Sequence, residues 1–152
     1  MWRRTQGDIG LIRIIAVGRL RAEPEAALFE RYATRIRPPL SVTELDESAD
    51  MLAALPARAF AVALDQDGEA ADSAGFARLL ERWLGMGRPV CFMIGGADGL
   101  SAAVLRRAEA RLSLGALTWP HKLARVMLAE QIYRARMIAA GHPYHRAGRP
   151  GV

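Results

Sequence analysis

The chain has one cysteine, Cys91, and one lysine, Lys122, among its 152 residues. A lone cysteine excludes an intrachain disulfide framework, and its place inside an apolar run makes it a small core residue, consistent with the cytoplasm. No run reaches the roughly 20 apolar residues that a membrane-spanning helix needs. Residues 1–10 carry Arg3 and Arg4, but Arg13 breaks the apolar run that follows and no small-residue cleavage site appears. They read as a flexible leader, not a signal peptide. There is no Gly-Lys-Ser or Gly-Lys-Thr of a phosphate-binding loop, and Gly95-Gly96-Ala97-Asp98-Gly99 is not the dinucleotide fingerprint. His142 and His145 lack a neighbouring cysteine or paired carboxylate, so no metal site is expected. Ser101 reads as a helix cap, not a nucleophile, and no repeat or low-complexity tract is visible.

What is present describes one globular domain. Apolar residues make up 51% and charged residues 24%, and the length suits a single core. Twenty of the 21 basic residues are arginine, and their distribution is uneven. Residues 1–100 hold 12 basic and 14 acidic side chains, whereas residues 101–152 hold 9 basic and 2 acidic. All three histidines fall in that positive C-terminal third, a pattern that suits an anionic partner.

Apolar runs at Leu11 to Val17, Ser41 to Leu45, Phe60 to Leu64, Val90 to Ile94 and Arg111 to Leu114 predict five strands. Helical spacing predicts helices over Glu25 to Arg37, from the caps Asp72 and Ser73 to Leu84, from Ser101 to Arg107, and over His121 to Ala140. Asp46 to Arg58 has room only for a short helix. Alternating strands and helices indicate an α/β fold with a mostly parallel sheet flanked by helices. Ligands of open parallel sheets sit beyond the carboxyl ends of the strands. Three loops lie there: Leu64-Asp65 with the turn Asp65-Gln66-Asp67-Gly68, Gly95 to Gly99, and Gly115 to Pro120. The second is either a ligand cradle or a tight connection. Apolar residues widen the last helix beyond one stripe, which implies contacts on more than one side, a dimer interface being a natural source. The tail His142-Pro143-Tyr144-His145-Arg146 is either an ordinary polar terminus or an RNA contact, arginine for phosphate and aromatic rings for stacking.

Five stretches in register carry a resemblance. Ala16-Val17-Gly18, Ile94 to Leu100, Leu112 to His121, Ala129 to Ala135 and His142 to Arg146 together resemble the ribosomal large subunit methyltransferase H family, over about residues 11–146. The resemblance implies a SPOUT-type fold with a C-terminal trefoil knot in one domain, residues 11–146, leaving 147–152 as an extension. It implies a homodimer that transfers a methyl group from S-adenosylmethionine to N3 of a pseudouridine in 23S rRNA on assembled ribosomes, with no DNA or membrane partner. The cofactor-binding positions it implies are Leu64, Gly96, Gly115, Ala116, Leu117, Thr118, Trp119 and Pro120. Arg134, His145 and Arg146 match residues tied to RNA binding or catalysis, and Tyr144 lies between them. Histidine ordinarily exchanges protons near neutral pH, so His145 is favoured as the base; orienting the target or contacting phosphate are its other roles. A composite site across the dimer follows if one subunit's tail serves the other's cofactor loops. Two departures stand out: Asp46 to Arg58 is short and acidic where the family carries a longer lysine-rich segment, and the chain runs past Arg146. The competing class is a non-catalytic ribosome-binding or assembly protein with the same fold.

Overall fold

The computed structural model describes residues 12–146, so the expected leader and C-terminal extension lie outside the described residues. The five strands are β1 (Ile12–Val17), β2 (Leu40–Leu45), β3 (Phe60–Ala70), β4 (Val90–Ile94) and β5 (Ala110–Ser113). Five helices alternate with them: α1 (Pro24–Ala33), α2 (Met51–Ala54), α3 (Ser73–Leu84), α4 (Ala102–Arg107) and α5 (His121–Ala139). The strands form one sheet in the order β2-β1-β4-β3-β5, and every pairing is parallel. All five residues of β4 are buried, as a strand with neighbours on both edges and helices on both faces requires.

Alternate residues of each strand sort into two cores. Ile12, Ile14, Val62, Val90 and Phe92 meet Phe29 of α1, Phe76, Leu80 and Trp83 of α3, and Val126, Leu128 and Ile132 of α5. The opposite face presents Ile15, Ala61, Ala63, Cys91 and Met93 to Met51 of α2 and Val104 of α4. Large side chains support three long helices on one side. The other face, with Ala61, Ala63 and Cys91 beside Ile15 and Met93, is covered by two short helices. Cys91 is fully buried, and burial pushes its thiol up to about 11, so it serves packing and not chemistry.

The caps behave as read. The Asp72 carboxylate accepts from the Gly75 N–H at 2.7 Å and starts α3, and the Ser101 hydroxyl accepts from Val104 N–H at 3.2 Å and starts α4. Two expectations are corrected. α1 ends at Ala33, not Arg37, because Arg37 precedes a proline and is pushed out of the helical region. Thr34 N–H closes a last helical bond on Glu30, and Arg35 and Ile36 close tightened turns on Tyr32 and Ala33, leaving Ile36 fully buried. β3 also runs past Leu64. Both Leu64 and Glu69 pair with Leu112, so Asp65 to Gly68 is an irregularity inside the strand and not its terminating turn. Gly68 passes so near β5 that a Cβ there would stand 2.7 Å from the Arg111 carbonyl carbon.

Candidate functional site

The sheet order sets the strands β4, β3 and β5 side by side, so their carboxyl-end loops converge. Between them lies a cavity of ≈ 160 Å³ lined by Leu64, Asp65, Gln66, Gly96, Gly115, Leu117, Thr118, Trp119 and His121, among others. Six of the eight expected cofactor positions thus share one wall. Ala116 and Pro120 serve it indirectly: the Gln66 amide donates to the Ala116 carbonyl and ties two loops together, and Pro120 caps α5. The Gly95 turn folds tightly enough that a Cβ on Gly95 would meet the Gly99 carbonyl carbon at 2.4 Å. Only glycine fits there. Leu117 is 71% exposed and Trp119 38%, so two large apolar side chains stand at the rim instead of in the core.

Around the start of α5 the packing is ionic. Arg125 is 1% exposed; its Nη1 donates to Glu44 at 2.5 Å and its Nη2 to the Gly18 carbonyl at 2.9 Å. Partial burial pushes the Glu44 carboxyl up, but the Leu20 N–H and the Arg125 guanidinium outweigh it and hold it below the usual carboxylate range. Lys122 donates to Glu23 at 2.8 Å, fastening α5 to the start of α1.

The tail residues assemble elsewhere, 13 residues further along α5. Glu130 is the hub. One of its oxygens accepts from Arg134 Nη2 at 2.6 Å, from Arg134 Nε at 3.0 Å and from the Tyr144 hydroxyl at 3.1 Å. Its other oxygen accepts from Gln131 at 2.9 Å, and the Ser73 hydroxyl donates to Gln131 at 2.8 Å. The Arg134 guanidinium lies 4.9 Å from the centre of the Tyr144 ring, which packs edge-on against Tyr133. Glu130 raises the Arg134 guanidinium above its ordinary value, while burial and then Glu130 do the same to the Tyr144 phenol. Arg134 Nη1 meets His145 Nδ1 at 3.0 Å. Arginine can only donate, so Nδ1 accepts and the neutral imidazole carries its proton on Nε2. Among the described residues, Arg146 is exposed and joins none of these contacts.

The Glu130 cluster borders a larger cavity, ≈ 810 Å³, walled by Leu28, Tyr32, Phe76, Met127 and Gln131 and reaching Leu114 and Gly115. It abuts the loop cavity but contains only Gly115 of the expected cofactor set. Sequence reading gave no role to Glu130, Gln66, Arg125 or His121. The spacing of four between Glu130 and Arg134 was the available signal for one of them. Among the described residues, no three of His, Cys, Asp and Glu converge on a possible metal position.

The model of the family described as predicted SPOUT methyltransferase matches residues 11–145. A ribosomal RNA large subunit methyltransferase H from Gluconacetobacter diazotrophicus is 57% identical over 151 residues, covering 91% of this chain and 99% of that protein. Its counterpart in Acidiphilium cryptum is 50% identical, covering 91% and 96%. Solved structures agree on the fold. The SpoU methyltransferase AviRb from Streptomyces viridochromogenes, in complex with AdoMet, superposes with TM-score 0.55 at 12% identity, covering 84% of this chain and 58% of that one. The A. aeolicus TrmH/SpoU tRNA modifying enzyme gives 0.53 at 10% identity, covering 95% and 88%. With three loops converging at the carboxyl edge of a parallel sheet, and relatives matched over nearly their whole length, this chain belongs to the ribosomal RNA large subunit methyltransferase H family of SPOUT methyltransferases.

Proposed function

We propose that this protein methylates N3 of a pseudouridine in the 23S rRNA of assembled ribosomes, in the cytoplasm, with S-adenosylmethionine as donor. The observation that carries the reading is the convergence of Leu64, Gly96 and the Gly115 to Pro120 loop on one cavity, the positions that match the family's cofactor set. The donor would supply a sulfonium-activated methyl group. Its fit rests on a glycine turn that brings backbone close to a ligand, apolar walls at Leu64, Leu114 and Leu117, and a partly exposed indole at Trp119. At ≈ 160 Å³ the cavity is smaller than the roughly 300 Å³ at which small-molecule sites begin, so the exposed segment 116–119 moves outward on loading. The trefoil knot expected at the C-terminus is supported by strand order: β4 inserts between β1 and β3, and α5 returns from the β5 edge to pack on α1 and α3.

The working unit in this reading is a homodimer. Leu123, Met127, Glu130, Arg134 and Met137 alternate steps of four and three along α5, a stripe left half-buried within one chain. Arg134 lies roughly 20 Å along the helix from His121, too far for one chain to apply both ends of α5 to one base. Antiparallel pairing of two α5 helices near Met127 removes that separation. It sets the Arg134, Tyr144 and His145 cluster of one subunit beside the loop cavity of the other. There Arg134 and Arg146 would neutralise phosphate or charge developing on the uracil-type ring, and Tyr144 would offer a stacking face.

Mass spectrometry of 23S rRNA from a deletion strain tests the reaction: loss of one pseudouridine methyl group is the expected result, and an unchanged methylation profile overturns it. Calorimetry separates this reading from a ribosome-binding protein without catalysis. That protein would bind ribosomes yet ignore millimolar cofactor. The composite site is tested by mixing a Gly96→Trp subunit with an Arg134→Ala subunit. Recovery of roughly a quarter to half of wild-type activity supports it, and no recovery in verified heterodimers counts against it.

A further inference from the structure

The N3 proton must leave during methyl transfer, and the chain offers three imidazoles to take it. His145 has its Nδ1 lone pair occupied by the Arg134 N–H at 3.0 Å and carries its proton on Nε2, so the ring reaches outward only as a donor. His142 Nδ1 accepts from the Tyr144 N–H at 3.2 Å and shapes the exposed tail turn. These two are the histidines whose rings hydrogen-bond among the described residues. His121 differs in both place and company. It lines the loop cavity together with Leu64 and Gly96, at the first position of α5.

Resting on the N3-methylation reading above, we infer that His121 is the proton acceptor, and that His145 orients the base by donating from Nε2. As the N3 electron pair bonds to the methyl carbon, the carbon–sulfur bond breaks and its electrons stay on sulfur. The N3 proton passes to the His121 lone pair, and the imidazolium releases it to water. The ring is held for this task. It lies beside Gly18, where an added Cβ would stand 3.5 Å from its Nε2, and the same helical turn is fastened by Lys122 to Glu23 and by Arg125 to Glu44 and the Gly18 carbonyl. Of the carboxylates around it, Asp65 pairs with Arg111 at 3.6 Å, Glu23 with Lys122 and Glu44 with Arg125, while Glu47 lies against Gly96 and Asp98 sits in the glycine turn.

The test uses full-length His121→Gln, His121→Asn and His121→Ala on assembled ribosomes, with His145→Gln as the contrast. Expected results are a single-turnover rate about 10²- to 10⁴-fold lower for the His121 variants, AdoMet affinity within threefold of wild type by calorimetry, and partial rescue of His121→Ala by added imidazole. The wild-type rate levels off as pH rises, whereas the His121 variants keep climbing as N3 ionises unaided. His145→Gln retains the wild-type pH profile, since its amide can still donate. In wild-type protein, the ¹⁵N-imidazole signal of His121 moves on AdoMet binding without any RNA present. The inference is overturned by a His121→Gln or His121→Asn rate within fivefold of wild type, by a rate loss matched by lost cofactor affinity, or by His145→Gln abolishing the pH inflection instead. Melting curves identify any variant that fails to fold, and the imidazole signal decides the matter if all three do. Wild-type protein that leaves N3 unmethylated overturns the functional reading itself, a separate result.

Discussion

The two ends of α5 solve different problems with different materials. At its start the cavity is shaped by backbone: a glycine turn, the Ala116 carbonyl tied by Gln66, and apolar side chains from three loops. At its far end the surface is made by side chains, and one carboxylate, Glu130, holds Arg134 and Tyr144 in a fixed relation. A backbone site can accept a ligand whose shape it surrounds, but it cannot reposition charge. A side-chain cluster can deliver charge to a target, but needs a partner to deliver it to. In the proposed reading each end supplies what the other lacks, and pairing of two chains would bring them together.

Perturbing each end separately sharpens that contrast. The largest effect is expected from Arg134→Ala, about a 10³-fold loss of methyl-transfer rate. Cofactor affinity should stay within twofold, and calorimetry beside single-turnover kinetics checks both halves. Glu44→Gln acts on the scaffold joining the ends. It strands the buried Arg125 guanidinium and should cost about 3 kcal/mol in urea unfolding. Because the folded Glu44 carboxyl is held below its unfolded value, its contribution is present above about pH 4 and is lost as pH falls through the folded value. The variant should therefore show a flatter acid limb of stability than wild type. Gly95→Ala attacks the backbone end alone: its Cβ must displace the Gly99 backbone, and about a tenfold weaker AdoMet affinity is expected with the tail cluster unaffected. Smallest is Tyr144→Phe, which removes one hydrogen bond to Glu130, about 1 kcal/mol, and should slow the reaction several-fold with unchanged cofactor binding. A Tyr144→Phe enzyme that loses cofactor instead would erase the distinction between the ends.

Legibility followed the same division. Glycines and an unbroken apolar run announced β4 and its turn, and short polar residues announced the starts of α3 and α4, because those signals are local. The end of α1 escaped because Tyr32, Ala33 and Ile36 keep a helical spacing that the proline pair overrules only through the residues before it. β3 escaped because Asp-Gln-Asp-Gly reads as a terminus, while pairing with β5 resumes beyond it. Arg125 was hidden more deeply. Its place among apolar residues of α5 gave no hint that Glu44, 81 positions earlier, completes it. The tail was legible as residue types, yet the tautomer of His145 depends on the Arg134 contact, and that contact shifts the proposed base to His121.

The ion pair between Lys122 and Glu23 has a practical consequence. Because Lys122 is the chain's one lysine, its ε-amine is the single side-chain target in this protein for amine-directed acylation. An ammonium engaged by a carboxylate at 2.8 Å is a slow nucleophile, since it must part from its partner and lose a proton before it can react. Acylation at that position, read by peptide mass, therefore times how often the Lys122–Glu23 pair opens. The one lysine of the chain thus reports on the contact that ties the first turn of α5 to the start of α1.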